Sequence, residues 1–136
     1  MNRSKLTIIS LCALATLVVC FNPPTVSAGP DTFVLSLSGI CPGRLTVAWE
    51  GAPADRWMAI AFARQRGNVI LSTPCGGTQL GLGSTGLRLV ALIRTGPEGA
   101  GRVHGEARSE DCGGYVQLIA YGPRPCPTSN VVQIPQ

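Results

Sequence analysis

Of the chain's 136 residues only 13% are charged, and the formal net charge is +4. The positive side chains are scattered with no basic stripe, which argues against a nucleic-acid surface. Beyond the N-terminal stretch no apolar run approaches the length that spans a bilayer.

Residues 1–28 read as a cleavable secretory signal peptide. Arg3 and Lys5 supply a basic start, Leu6 to Phe21 run apolar without a charge, Asn22-Pro23-Pro24 break the run, and Val26-Ser27-Ala28 offer small residues for cleavage before Gly29. The rival reading, a membrane anchor, is short of the roughly 20 residues needed and has no basic stop after it. A lipidated Cys20 is disfavoured because Val19 is too large for the position before such a cysteine. The expected mature chain, 29–136, is the size of a single domain and long enough to bury a core. It contains nine arginines, no lysine and seven acids, a net of +2; with abundant Ala, Gly and Pro this is the composition of a GC-rich bacterial genome.

Alternation of apolar with polar residues then predicts eight short strands, at 32–38, 44–50, 57–63, 68–72, 87–94, 102–106, 115–121 and 132–134. Turn clusters separate them, among them Cys41-Pro42-Gly43, Gly51-Ala52-Pro53, Thr95-Gly96-Pro97 and Gly122-Pro123. Helical segments are scarce, since even the Ala-rich stretch at 56–65 spaces its bulky residues two apart. The fold class expected is all-β, an antiparallel β-sandwich. The connection 74–86 holds five glycines and is the least regular part.

Cys12 and Cys20 fall in the leader, which leaves Cys41, Cys75, Cys112 and Cys126. An even number in an exported chain points to two disulfides. Their wide spacings lack the paired short gaps of a zinc site. Counting strands up and down puts Cys41, before the second strand, at the same end as Cys126, before the eighth. Cys75, after the fourth, then meets Cys112, before the seventh. The expected pairing is therefore Cys41–Cys126 and Cys75–Cys112.

No chemistry-bearing constellation emerges. Gly81 to Gly86 matches a dinucleotide-binding string, but a strand-like run follows it where a helix is required, so the glycines read as a loop. No lysine follows to make a phosphate loop. His104 is the sole histidine and shares a strand face with Arg102 and Glu106; a small hydrolase would have to use it, yet no serine sits in a nucleophile turn. The acids lie mostly in turns and strand ends, which gives no paired-carboxylate signal. Arg124-Pro125-Cys126-Pro127 has the stiff, cysteine-braced form of a protease-inhibitor loop presenting Arg124, and equally that of a tight turn. Trp57, Tyr115 and Tyr121 fall on the outward side of their strands and form the candidate binding face, for a protein or a glycan of the cell envelope. The bland alternative is that strand 57–63 is buried on both faces. No cofactor, metal ligand set or catalytic residue is assigned.

The runs Leu45-Val47-Trp49 and Val116-Leu118-Ala120, the late strand 130–134 and cysteines at strand entries resemble bacterial secreted immunoglobulin-like or fibronectin-III-like β-sandwich modules. The resemblance is one of architecture and implies a secreted or cell-envelope interaction or structural module. It carries no functional residue, because such folds host many unrelated roles.

Overall fold

The structure, a computed structural model, describes residues 33–136. The expected leader, Cys20 and residues 29–32 lie outside the described residues. Seven strands form: β1 Val34–Gly39, β2 Gly43–Glu50, β3 Trp57–Ala63, β4 Arg88–Arg94, β5 Gly101–Ala107, β6 Tyr115–Ala120 and β7 Val132–Gln133. A single 3-10 turn, Ser109–Asp111, is the only helical element among the described residues. The strands build two antiparallel sheets, ordered β1-β2-β5 and β4-β3-β6-β7. The all-β sandwich is thus formed, and no helix among the described residues is long and apolar enough to cross a membrane.

Period-two alternation decides what enters the core. Leu35 and Leu37 on β1 and Leu45, Val47 and Trp49 on β2 face Met58, Ile60 and Phe62 on β3 and Val116, Leu118 and Ala120 on β6. The β1–β2 hairpin reverses at Gly39, whose φ of +121° brings the backbone onto the Arg44 carbonyl, where a side chain has no room. The outer edge of β1 is closed by a side chain. Asn130 accepts from Leu35 N at 2.7 Å and donates to Leu35 O at 3.1 Å, standing in for a strand neighbour.

The four-stranded sheet is covered on its second face as well. The 24 residues between β3 and β4 lie across it, with Leu80, Leu82 and Cys75 buried on Ala61, Ala63 and Ile119. Gln117 on β6, 4% exposed, clamps this cover: its Oε1 accepts from Gly81 N at 3.0 Å and its Nε2 donates to Ser129 O at 2.9 Å. Thr78 Oγ1 accepts from Cys126 N at 2.8 Å, a second tie between the cover and the β6–β7 connection.

Two expectations are corrected. The strand expected at 68–72 joins neither sheet. Its alternation does signal extended chain, but the partner is the loop's own return: Leu71 N donates to Thr78 O, Leu80 N to Val69 O, and Ile70 bridges Gln79. The disulfides are Cys41–Cys112 and Cys75–Cys126, in place of Cys41–Cys126 and Cys75–Cys112. One cause is the absent strand. Without it Cys112 precedes the sixth strand rather than the seventh, which brings it to the same end as Cys41. The other is that Cys75 belongs to the cover, so its bridge to Cys126 lies on the sheet's outer face instead of at an end.

Candidate functional site

Strand β4 is where the packing stays open. It hydrogen-bonds β3 on one side only. Its register slips at Val90, where the pairing jumps from Ile60↔Ala91 to Ala61↔Leu89. This bulge undoes the simple alternation expected from the sequence. Ala91 and Ile93 face the core, whereas Leu89 and Leu92 sit opposite the outward Ala61 and Ala59. Leu89 is 62% exposed and Leu92 54%.

An apolar hollow lies on each side of this strand. On the outer face a hollow of about 280 Å³ runs from Leu89 over Ala61 to Ile119 and Tyr121, walled by Leu71 and Pro74 of the cover. On the inner side a cleft of about 150 Å³ opens between the two sheets beside Val90 and Val103, with Leu45, Val47 and Phe62 beneath. Arg88, His104, Glu106 and Asp111 also line this cleft, which is open to solvent.

The ends of β4 carry cations. Arg88 donates to Asp111 Oδ1 at 2.6 Å and stacks over Phe62, its Cζ 4.2 Å from the ring centroid. Burial pushes the Asp111 carboxyl up, but the Arg88 hydrogen bond, the Arg108 N–H and both guanidinium charges outweigh it. The group titrates below its ordinary value. At the other end Arg94 lies 5.5 Å from the centroid of Trp57, and its side-chain donor reaches Asp55 O at 3.1 Å.

Of the residues proposed from sequence as a binding face, Trp57 stands at the start of β3, 50% exposed, while Met58 to Ala63 behind it are buried on both faces. Tyr121 lines the outer hollow. Tyr115 is half-buried against the cover, with Arg66 stacked 5.3 Å from its ring centroid. Trp57 and Tyr121 therefore border the β4 region, and Tyr115 sits apart at the far end of β6.

His104 is exposed on β5 and its Nδ1 lies 2.8 Å from Thr46 Oγ1 across the β2–β5 ladder; among the described residues no serine or carboxylate bonds it. Arg124 is exposed in a loop anchored by the buried Cys126 and Pro127. Gly81 to Gly86 form part of the cover and lead into β4, with no helix after them. Among the described residues no group of His, Cys, Asp and Glu gathers to hold a metal.

Leu89, Val90 and Leu92 were not legible as surface, since an apolar run reads as a buried strand. A different signal was available. No acid occurs from 56 to 97 or from 112 to 136, which together supply β3, the cover, β4, β6 and β7. Those segments contain Arg56, Arg64, Arg66, Arg88, Arg94 and Arg124. The remaining described residues hold six acids against Arg44, Arg102 and Arg108. Charge is therefore sorted along the chain, +6 on the segments of the four-stranded sheet and its cover and −3 on the remaining described segments, with Asp55 and Asp111 of the latter lying against Arg94 and Arg88. Comparison with protein-family models, with curated proteins and with solved structures found no match for this chain.

Proposed function

We propose that this chain is an exported, non-enzymatic β-sandwich module that binds a protein partner through strand β4 and the adjoining outer face of its four-stranded sheet. The observation that carries the reading is the group Trp57, Leu89 and Leu92, all at least half exposed beside an apolar hollow that no side chain of the described residues fills. A contiguous apolar area of this kind on a folded domain marks an interaction surface. Two disulfides fit an oxidising compartment, in keeping with the N-terminal export pattern. The order β1-β2-β5 against β4-β3-β6-β7 and a bridge joining the entries of β2 and β6 support the likeness to immunoglobulin-type sandwiches.

A protein partner is favoured over a glycan. Sugar platforms use open aromatic faces flanked by hydrogen-bonding groups, whereas Trp57 and Tyr115 already carry guanidinium groups and the hollow is lined by hydrocarbon. The test places a photo-reactive side chain at position 92 and, separately, at position 102 on the opposite sheet, in the producing cells. A defined protein adduct from 92 alone is expected. Equal capture from both positions, or none from 92, would refute the reading, as would a hydrolytic activity abolished by His104→Ala.

A further inference from the structure

We propose that β4 is an acceptor edge, onto which an extended, acidic segment of the partner adds as a further strand of the four-stranded sheet. The inference rests on the reading of this face as a protein-binding surface and names the kind of partner it takes.

Three of the four sheet edges are managed, and the fourth is not. An open strand edge offers unpaired N–H and C=O groups to any extended chain, and proteins blunt such edges by covering, shortening or charging them. Asn130 closes β1, β7 is two residues long, and β5 presents Arg102, His104 and Glu106. β4 runs seven residues with only arginines at its ends and the bulge at Val90 against pairing, and among the described residues nothing bonds its outer side.

The two hollows say what would pair there. Side chains of an added strand point alternately to the two faces of the sheet. Those on one face would meet the outer hollow beside Leu89, and those on the other would meet the cleft between the sheets beside Val90. Apolar space on both sides of a single edge suits a two-sided strand. It suits a lipid surface poorly, because the open polar backbone between Leu89 and Leu92 would enter hydrocarbon unsatisfied.

Charge specifies the segment further. The segments that supply the four-stranded sheet and its cover carry six arginines and no acid, and the acids that approach β4, Asp111 and Glu106, gather at its Arg88 end. Of the two arginines on β4, Arg88 has a carboxylate partner in Asp111, whereas Arg94 has none among the described residues and stays open to an acid from outside. The complementary segment therefore alternates apolar residues and carries Asp or Glu at the end that meets Arg94.

The experiment pans a display library of random peptides of about ten residues, a strand's length, against the oxidised domain. Enrichment of alternating apolar sequences with an acid at one end is expected. The best peptide should shift the amide resonances of 88–94 and the Trp57 indole and protect alternate β4 amides from exchange. Its affinity should fall about tenfold in Arg94→Glu and further with salt. Of two versions N-methylated on either set of alternate residues, one should lose binding and the other keep it, because only one set donates to β4. Peptides without acids, both methylated versions binding equally, shifts confined to β1 or β5, or no binder at all would overturn the inference. So would binding to phosphatidylglycerol vesicles in place of peptide, or self-association abolished by Leu92→Lys, which would make a membrane or a second copy the occupant. If these outcomes overturn strand addition while the position-92 adduct persists, the protein-binding face still stands. If that adduct is also absent, the reading beneath it has failed.

Discussion

Replacing Gln117 tests how the cover is held to the four-stranded sheet. In Gln117→Leu the volume is nearly kept, so the packing change is small. Two partners are orphaned: the Gly81 N–H and the Ser129 carbonyl. An unsatisfied buried polar group costs about 1–3 kcal/mol. Gly81 is half-buried, so water reaches its N–H and the lower end applies, whereas Ser129 is buried and draws the middle to upper part of the range. The expected loss is about 3–4 kcal/mol, a large share of the roughly 5–15 kcal/mol that holds a domain. Guanidinium unfolding with both disulfides intact, followed by the fluorescence of the buried Trp49, should show a lower midpoint at unchanged slope. Amide exchange at Gly81 should accelerate while the β2–β5 ladder keeps its protection. Gln117→Glu retains an acceptor for Gly81 but sets a charged oxygen against the Ser129 carbonyl. It should be worse than leucine at neutral pH and recover in acid, where the protonated carboxyl can donate. A loss below about 1 kcal/mol for leucine, or glutamate the milder of the two at neutral pH, would refute the clamp.

Removing the Cys75–Cys126 bridge by the paired serine substitutions frees a loop closed over a separation of 51 residues, for an expected loss of about 4 kcal/mol; dye binding by the exposed Ala61, Leu80 and Leu82 surface should report a lifted cover before global unfolding. The depressed pKa of Asp111 means that its contribution is complete above the ordinary value of 3.8 and is lost as pH falls through the lower folded value, so Asp111→Asn should flatten the acid limb of a stability–pH curve and change little of its shape above that range. In Gly101→Ala the new Cβ would lie 2.6 Å from Cζ2 of Trp49, costing about 1–3 kcal/mol by overpacking. Trp49→Phe takes away that part of the indole together with an N–H that has no partner, so the double variant should be more stable than the sum of the single changes predicts, by about 0.5 kcal/mol or more in a thermal or denaturant cycle.

The architecture was legible because each sandwich strand carries its own period-two pattern. β2, with Leu45, Val47 and Trp49 inward, and β3, with Met58, Ile60 and Phe62 inward, lie where alternation places them. Pairing was less legible because it is non-local. Residues 68–72 alternate as a strand does, and nothing in five residues states whether the neighbour is a sheet or the chain's own return at 78–82. That miscount shifted the parity of the later elements and hid the Cys41–Cys112 pairing, while the place of Cys75 in the cover hid its bridge to Cys126. The site divides the same way. Trp57 and Tyr121 follow from outward alternation. The exposure of Leu89 and Leu92 depends on the bulge at Val90 and on where the cover stops, and both are settled by three-dimensional packing.

The extent of the cover follows from side-chain size. β3 turns Ala59, Ala61 and Ala63 to its outer face, a floor of methyl groups that lets other backbone come close. The cover exploits this with glycine: Gly67 and Gly83 approach so closely that a Cβ on Gly67 would lie 2.6 Å from Gly83 Cα. A thin, glycine-rich layer needs a few large side chains to fill what the alanines leave, and Leu80 and Leu82 do so near β6 and Ala63. The layer ends at Leu87, and over Ala61 toward β4 the cover's Leu71 and Leu87 are only partly buried and stand at the walls, so the hollow of about 280 Å³ remains. Filling it from within would have taken one larger residue at position 61, with little backbone movement. The alanine keeps instead a depression that no side chain of the described residues fills, beside a seven-residue strand edge that, unlike β5, carries charge only at its ends.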